Sequence, residues 1–362
     1  MGAVIGVGIV GLSAGGGWAA KAHLPALAAV DGIELRALAA SSPKAARAAG
    51  EAHGVPAYAS VEALVQDPGV DLVVVAVKVP QHRALILPAL QARVPVLSEW
   101  PLALDLAEAQ ELEQAAEGTR TFVGLQGRSA PAFRWLADLM AERYVGDVLS
   151  ATVVASSSGW GASTSERGRY TLDRAQGATM LTIAFGHAID AVALLVGELE
   201  ELVATTATRR PQVELEGTGR TVPMTAEDQI AVSGTLASGA VLSAHYRGGT
   251  LSGPGFSLTV DGTEGTLEVT APSHPNINPV SVRGARGYAP PAELALPERY
   301  DAYPQLAGTQ SHALAHAYAA IRDDLLHGTA TVPDFAHAVA RHRLLDAITR
   351  SAATGRRVEL MN

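Results

Sequence analysis

The side chains best suited to moving a proton lie in the stretch AFGHAID. His187 is the leading candidate for a general acid–base, because the pKa of an imidazole naturally lies near neutrality. Asp190, three residues later, can orient that ring or simply cap a helix turn. Tyr170, in RGRYTLD, can supply a phenolic proton or form part of a pocket wall. The alternative for His187 is a buried structural histidine on a helix.

A glycine-rich loop near the start of the chain, GLSAGGGWAAKAHLP, follows an apolar strand-like run and precedes a helix. Such a loop can hold a pyrophosphate, because free backbone N–H groups and the helix dipole attract negative charge. The alternative is a flexible loop in some other doubly wound fold. The residues predicted to contact a dinucleotide here are Gly11, Ser13, Ala14, Gly17 and Trp18.

The residues after the second predicted strand bear on cofactor preference. NAD-preferring sites usually place an acid there for the ribose hydroxyls, whereas this chain has Ser41, Ser42 and Lys44. Hydroxyls and a cation suit a 2′-phosphate better than a diol, so the sequence favours NADP over NAD. Lys44 can equally be an exposed helix residue. His82 is expected at the carboxyl end of a later strand, near the path of the cofactor.

Strand-like and helical segments alternate along the first third of the chain. The run VDLVVVAVK is continuous and β-branched, as expected for a strand buried on both faces. Such alternation predicts βαβ units, and therefore a parallel sheet with helices on both faces. We predict a Rossmann domain over residues 1–126, with its ligand site at the carboxyl edge of the strands.

The second half has a different pattern. IAVSGTLASGAVLSAHYR and FSLTVDGTEGTLEVTAP each predict two strands joined by a turn. We therefore predict a second α/β domain over residues 127–362, with a large, mostly antiparallel open sheet that forms a substrate pocket or a subunit interface. An exposed sheet predicts a homo-dimer or homo-tetramer. The stretch 271–310, rich in Pro and Gly, is predicted to be a loop, and two helices are predicted to follow it.

Composition limits the classes of partner. The net charge of -9 argues against a nucleic-acid surface, and no apolar run approaches the length of a membrane span. The chain has no Cys, which excludes thiolate catalysis and Cys-based metal sites. His312 and His316 share a helix face but lack a third ligand, so no metal site is predicted. We expect a cytoplasmic protein that binds a small molecule.

Several segments together resemble the Gfo/Idh/MocA oxidoreductase family over essentially the whole chain. They are GLSAGGGWAAKAHLPAL, SEWPLALDLAEA, GLQGRSAP, GHAID, VDGTEGTL and HRLLDAITRSAATGRRVEL. The resemblance implies an NAD(P)-binding domain, a C-terminal domain whose open sheet builds oligomers, and oxidation or reduction of sugars and polyols. The stretched glycine loop, EW, LQGR and FGHAID resemble in particular the branch of the fungal galactose-regulon repressor, a sensor that binds NAD(P) and proteins.

The resemblance also identifies two departures. The family usually has a Lys after the position of Glu99, and an Asp four residues before its catalytic His. Here these positions are Trp100, which cannot titrate, and Ile183, whereas the histidine is retained as His187. Trp100 is interpreted either as a flat stacking surface for a sugar or nicotinamide, or as a bulky side chain that fills a disused pocket.

Other residues are candidates for the walls of the site. Trp160, in SSSGWG, and Trp18 add aromatic surface that can line the same cleft, although each alone would be ordinary packing. Gln126 and Arg128, in LQGR, follow the last predicted strand of the first domain. They can bind the carboxamide region of the cofactor or the hydroxyls of the substrate, and Arg128 can instead tie the domains together. Glu99 is grouped with the residues that contact the cofactor.

Two functions remain open at this point. The first is an NAD(P)-dependent oxidoreductase acting on a sugar, polyol or related hydroxy or keto compound, with His187 as the acid–base and Trp100 shaping the pocket. The second is a catalytically silent NAD(P)-binding sensor that acts through a protein partner. The nucleotide loop and the retained histidine favour the enzyme, whereas the missing Lys and Asp favour the sensor.

Overall fold

The structure, a computed structural model, describes residues 4–250, 252 and 255–360. Its strands are β1 (Ile5–Val10), β2 (Ile33–Ala39), β3 (Ala57–Tyr58), β4 (Leu72–Val75), β5 (Val96–Glu99), β6 (Thr121–Gly124), β7 (Val148–Ser156), β8 (Ser163–Thr164), β9 (Leu199–Ala207), β10 (Gln212–Leu215), β11 (Arg220–Pro223), β12 (Gln229–Leu236), β13 (Val241–Arg247), β14 (Phe256–Gly262), β15 (Gly265–Ala271), β16 (Ser281–Arg286), β17 (Ala292–Glu293) and β18 (Val358–Glu359). Its helices are α1 (Leu24–Ala29), α2 (Pro43–His53), α3 (Val61–Leu64), α4 (His82–Gln91), α5 (Leu106–Ala115), α6 (Pro131–Ala141), α7 (Gly186–Val196), α8 (His312–His327) and α9 (Phe335–Thr354).

The chain divides into two compact units. The first comprises Met1–Ala130 and Ala302–Ala340, and the second Pro131–Asp301 and Arg341–Asn362. The segment 302–340 therefore belongs to the first unit, although the sequence analysis grouped it with the C-terminal domain. The reason is packing: α8 contacts α1, and its Leu314 and Tyr318 are buried in the same apolar cluster as Ile9 of β1.

The first unit contains a six-stranded sheet in the order β3-β2-β1-β4-β5-β6, in which every pair is parallel. The prediction of a Rossmann sheet is confirmed. All residues of β1 and β4 are buried, which accounts for their continuous apolar sequences. The strand order reverses between β1 and β4, so a crevice for a ligand is expected at the carboxyl ends of these two strands.

The second unit is built on a nine-stranded sheet in the order β17-β16-β15-β14-β7-β13-β12-β9-β18. Only the pair β7 and β13 is parallel among the described pairings, so the predicted, mostly antiparallel sheet is confirmed. Buried and more exposed residues alternate along β12, β13 and β14, as they do when one sheet face packs inward.

A row of paired residues crosses the other, more exposed face of this sheet. The residues in register from β9 to β16 are Val203, Ser233, Ser243, Thr152, Thr259, Glu268 and Arg283. The centre of the row is neutral and made of small side chains. The charged pair, Arg283 and Glu268 at 2.9 Å, lies towards one edge of the sheet.

Two further features of the second unit differ from the sequence prediction or add to it. The stretch 271–310 contains β16 and β17, which extend the large sheet, so it is not simply a loop. A separate three-stranded sheet has the order β11-β10-β8 and its own small apolar cluster.

No helix in the described part of the chain has both the length and the apolar character that a membrane crossing requires.

Candidate functional site

The glycine turn after β1 has a backbone that only glycine fits. Gly11 has a φ of 101°, and a Cβ on this residue would lie 2.4 Å from the carbonyl oxygen of Ala76. The hydroxyl of Ser13 donates to the carbonyl of Gly16 at 2.7 Å and closes the loop. A π-helical turn over Ala19–His23 follows and continues into α1. A helix N-terminus behind such a loop suits a pyrophosphate.

A cavity of about 760 Å³ lies in the first unit beside this turn. Its walls come from the ends of β1 and β2, the start of α3, and the segment that leads into α4. Among the residues predicted to bind the cofactor, those that line the cavity are Gly11, Ser13, Ala14 and Ser41. Those that do not line it are Gly17, Trp18, Ser42, Lys44, His82, Glu99 and Gln126. Glu62 is the one charged residue in the lining, and the sequence analysis did not single it out.

The residues after β2 divide between the cavity and the helix that follows it. The Ser42 hydroxyl accepts the backbone N–H of Ala45 at 3.2 Å and so caps α2. Lys44 is exposed on the first turn of α2, and Ser41 is in the cavity wall. The capping role of Ser42 follows the ordinary sequence signature of a serine before a proline at a helix start.

His82 is buried between two loops at the carboxyl edge of the sheet. Its ring nitrogens lie 3.1 Å from the carbonyl of Leu102 and 3.1 Å from that of Val77. Burial lowers the pKa of His82, against smaller opposing effects of these carbonyls and of Glu99. The ring is therefore neutral near pH 7, and its single N–H donates to one of these two carbonyls.

Glu99, at the end of β5, belongs to a cluster with two residues that the sequence analysis missed. His23 is fully buried, with Nε2 lying 3.0 Å from Glu99 Oε1 and Nδ1 lying 2.6 Å from the hydroxyl of Tyr318. Burial raises the pKa of Tyr318 well above its ordinary value, with Glu99 adding to the effect. The phenol therefore stays protonated and lies against Nδ1 of His23, while Nε2 of the same ring faces Glu99. His23 lies 295 residues from Tyr318, a separation that no local pattern reveals.

Apart from Nε2 of His23 and Oε1 of Glu99, which face each other, two buried polar atoms of the first unit lack a hydrogen-bond partner among the described residues. They are Nε1 of Trp18, a donor, and Oε1 of Gln126, an acceptor. Leaving such an atom unsatisfied costs about 1–3 kcal/mol. A dinucleotide, which has both donors and acceptors, therefore fits the residues present. Trp100 is 5% exposed, so it offers little surface to solvent, and Arg128 is partly buried in the turn after β6.

In the second unit, His187 lies on the first turn of α7, directly after a π-helical turn over Met180–Phe185. Thr179 caps that turn reciprocally with Thr182. His187 is 7% exposed. Ile183, in the position of the family's Asp, is partly buried within the π-helical turn. A π-helical turn is uncommon and is frequent at functional sites.

Asp190 is buried and has a charged neighbour. Its Oδ1 lies 3.7 Å from Nε of Arg341 on α9, and Arg341 also pairs with Glu198 before β9. Removing one member of a buried ion pair leaves an uncompensated charge. This contact supports a structural role for Asp190, in addition to its predicted role in the substrate pocket.

Trp160 and Tyr170 lie in one irregular stretch of the second unit. The indole N–H of Trp160 donates to the carbonyl of Thr171 at 3.0 Å, and the ring packs on the small apolar cluster that includes Leu172 and Met224. Tyr170 is partly buried, which raises its pKa, whereas Arg167 opposes that shift. The phenol is therefore protonated near neutral pH. Trp160 is therefore a partly buried residue that packs against this cluster.

Two family descriptions match successive parts of the chain. Residues 5–126 match GFO_IDH_MocA, described as an oxidoreductase family with an NAD-binding Rossmann fold. Residues 131–271 match the C-terminal domain of Gal80p.

Curated relatives include an enzyme and a regulator. The dehydrogenase aclE of Aspergillus oryzae is 37% identical over 215 residues, which are 57% of this chain and 58% of that protein. The galactose/lactose metabolism regulatory protein GAL80 of Saccharomyces cerevisiae is 28% identical over 291 residues, 74% of this chain and 67% of that protein. This chain therefore spans little more than half the length of the first relative.

Solved structures share the fold along the whole chain. A super-repressor mutant of Gal80p from Saccharomyces cerevisiae has a TM-score of 0.88 at 23% identity, covering 99% of this chain and 98% of that one. Levoglucosan dehydrogenase, in complex with NADH and levoglucosan, has a TM-score of 0.86 at 20% identity, covering 99% of this chain and 100% of that one. At these identities the likeness shows the fold alone.

Proposed function

Because this chain belongs to the branch of the Gfo/Idh/MocA oxidoreductase family that resembles Gal80p, we propose that it is an NAD(P)-dependent oxidoreductase. Its substrate is a sugar, a polyol or a related small hydroxy or keto compound. The observation that carries the proposal is the cavity at the glycine turn, which Gly11, Ser13 and Ala14 line. The relatives that act on sugars, such as the D-apiose dehydrogenase of Paraburkholderia graminis, support the substrate class.

In this proposal the first unit holds the dinucleotide. The turn at Gly11 binds the pyrophosphate through backbone N–H groups, and Ser41 binds the adenosine ribose or its 2′-phosphate. The unsatisfied Oε1 of Gln126 accepts a hydrogen bond from the carboxamide. When bound, the nicotinamide supplies or accepts the hydride. NADP is the favoured form, because no acid follows β2 and Ser41 lies in the cavity wall.

The second unit supplies the proton transfer. His187 takes the hydroxyl proton as an alcohol is oxidised and returns it in the reverse reaction, and Tyr170 is the second candidate for this role. A positioned acid–base contributes about two to four powers of ten to the rate. Trp100, which is buried, shapes the space in which the family's Lys would otherwise act.

The first experiment combines dinucleotide binding with a turnover screen. Purified protein is titrated with NADPH and NADH by fluorescence, and then assayed with sugars, polyols and their keto counterparts. We expect His187→Gln to lower kcat by about 10²–10⁴-fold while the Kd of the dinucleotide is unchanged. The exposed His245 on β13 provides the matched control, His245→Gln. Unchanged turnover in His187→Gln would remove His187 from the mechanism, and absence of dinucleotide binding would remove the proposed function.

A second candidate function is a catalytically silent NAD(P)-binding sensor that acts through a protein partner. The observations that favour it are Trp100 and Ile183, which stand in the positions of the family's Lys and Asp, and the similarity to a regulatory protein. This function predicts tight dinucleotide binding, no turnover across the panel, and a specific partner recovered from cell extract only when NADPH or NADH is present. Turnover of any substrate by the wild type, lost in His187→Gln, would exclude it.

We also propose that the protein self-associates through the exposed face of the nine-stranded sheet. The neutral row from Val203 to Thr259 is broad, and the exposed fractions of Val203 and Val241 are 40% and 54%. A broad, uncharged patch of a sheet that also exposes apolar side chains can form an interface between subunits. A homo-dimer or homo-tetramer formed in this way covers the patch.

A further inference from the structure

The lysines of this chain are few and are not scattered along it. The sequence has 27 Lys and Arg residues, and the only lysines among them are Lys21, Lys44 and Lys78. All three are exposed and belong to the first unit. Lys21 lies on the π-helical turn after β1, Lys44 on the first turn of α2 after β2, and Lys78 between β4 and α4. Each lysine therefore follows a different strand of the parallel sheet.

These three strands are neighbours, in the order β2-β1-β4, and they include the point where the strand order reverses. Because the strands are parallel, the segments that follow them lie at the same edge of the sheet. The residue after Lys44 and the residue before Lys78 both line the cavity of about 760 Å³. The N–H of Lys21 donates to the carbonyl of Gly17 at 3.0 Å and so ties its turn to the glycine loop. The three lysines are therefore placed around one cavity.

The lining of the cavity has the opposite charge. None of the three lysines is among the described residues that line it, and its one charged residue is Glu62. Hydrogen bonds from its own backbone N–H and from the hydroxyl of Ser60 lower the pKa of Glu62, so this carboxylate is ionised near neutral pH. On α2, Arg47 and Glu51 lie one turn apart, and their opposite charges largely cancel at a distance. The lysines are thus the cations that offset Glu62 beside the cavity.

This arrangement bears on how an anionic ligand approaches. The protein has a net charge of -9, which repels the phosphate groups of a dinucleotide. Charges of one sign around a cleft raise the association rate of an oppositely charged ligand by about 10–10³-fold. Lys suits this purpose, because it is a compact, hydrated point charge, whereas Arg favours fixed bidentate contacts with phosphate.

We propose that Lys21, Lys44 and Lys78 form a lysine rim that steers the phosphate groups of a dinucleotide into the cavity. This inference rests on the proposed function, since it takes a dinucleotide as the ligand of the cavity. The rim raises the association rate constant kon and changes the dissociation rate constant koff little, because the three side chains are outside the lining. Its effect is larger for NADPH than for NADH, which has one phosphate group fewer.

The test measures kon and koff of NADPH and NADH by stopped-flow fluorescence, for the wild type and for the triple variant Lys21→Gln, Lys44→Gln and Lys78→Gln. At an ionic strength of about 0.01 M we expect kon of NADPH to fall about tenfold or more, kon of NADH to fall less, and koff to change little. At about 1 M, where the Debye length is about 3 Å, the two proteins are expected to have equal kon.

Two further triple variants separate steering from other effects. Lys→Arg at all three positions keeps the charge, and is expected to keep kon at low ionic strength. Gln in place of Arg93, Arg220 and Arg356 removes the same net charge from exposed positions outside the three segments, and is also expected to keep kon. The unfolding midpoint of each variant shows whether it is folded.

The outcomes distinguish the lysine rim from the proposed function. An unchanged kon in the Lys→Gln variant, or an equal fall in the control that removes the three arginines, overturns the rim and leaves the oxidoreductase proposal standing. A weaker affinity that arises from koff alone also overturns the rim, since it indicates direct contacts. If the wild type binds neither dinucleotide, both proposals fail. If kon falls as expected but no substrate is turned over, the rim stands and the oxidoreductase proposal fails.

Discussion

Two buried histidines and one partly buried histidine have ring nitrogens that contact different kinds of partner. His82 lies between two backbone carbonyls, His23 between a phenol and a carboxylate, and His274 between a phenol and a serine hydroxyl. The first lies between the loops that follow β4 and β5, the second faces Glu99 at the end of β5, and the third lies between the ends of β7 and β13. The role of each of these histidines therefore depends on the groups that its ring nitrogens face.

At the scale of single residues, the pH dependence of stability tests the neutral state of His82. Its pKa is lowered in the folded protein from the ordinary value of 6.5, so at lower pH the unfolded chain binds a proton that the folded protein does not. The contribution of the neutral His82 to the free energy of unfolding is present above pH 6.5 and is lost as the pH falls towards the pKa of His82 in the folded protein. We expect thermal unfolding of His82→Gln to depend less on pH between about pH 8 and pH 5. An unchanged slope, with the exposed His245→Gln for comparison, would contradict this prediction.

Ser41→Asp tests the cofactor preference. Ser41 lies in the wall of the cavity, and the end of β2 has no acid. A carboxylate at this position repels a 2′-phosphate and accepts bonds from ribose hydroxyls. We expect the Kd of NADPH to rise at least tenfold and that of NADH to change little, both measured by fluorescence titration. In the same assay, Lys44→Ala leaves the Kd of NADPH unchanged if Lys44 is only an exposed helix residue. It raises that Kd if Lys44 binds the 2′-phosphate.

At the scale of elements, the sequence predicts the parts whose pattern is local. Continuous β-branched runs such as Leu72–Val75 identify strands buried on both faces, and the alternation in β13 and β14 identifies a sheet with one exposed face. The π-helical turns and the strands β16 and β17 are not predicted, because an extra residue in a helical turn changes the periodicity little, and Pro and Gly interrupt the strand pattern.

The candidate site is predictable only in part, for a physical reason. Gly11, Ser13 and Ala14 share one loop, so their proximity is visible in the sequence. His23 and Tyr318 are 295 residues apart, and Ser157 and His274 are 117 apart. Such pairs are brought together by the packing of different elements. No local periodicity records that packing.

The turn after β1 is tested by Gly11→Ala. The new Cβ would lie 2.4 Å from the carbonyl oxygen of Ala76, and the φ of 101° is unfavourable for alanine. We expect the free energy of unfolding to fall by more than about 1 kcal/mol, and the Kd of the dinucleotide to rise at least tenfold. The control is Gly15→Ala, where a Cβ meets nothing within 4 Å. Equal behaviour of the two variants would show that the turn does not depend on Gly11.

At the scale of the whole molecule, self-association is tested on the exposed face of the large sheet. Ser243 lies in the middle of the neutral row, between Ser233 and Thr152. An Arg at this position places a charge that a packed sheet interface cannot easily solvate. We expect Ser243→Arg to shift the protein to monomer in size-exclusion chromatography with light scattering. Ala52→Arg adds the same charge to an exposed position on α2 and is expected to leave the oligomer intact.

The first unit takes α8 from the segment 302–340, which the ribosome adds only after most of the second unit has been made. A gene fragment that ends at residue 130 encodes every strand of the parallel sheet, yet it lacks the buried side chains of Leu314, Tyr318 and Ile321. During synthesis the nucleotide-binding half therefore stays incomplete until late. A chain released early would expose the apolar face that α8 covers, and so would be a target for chaperones and proteases.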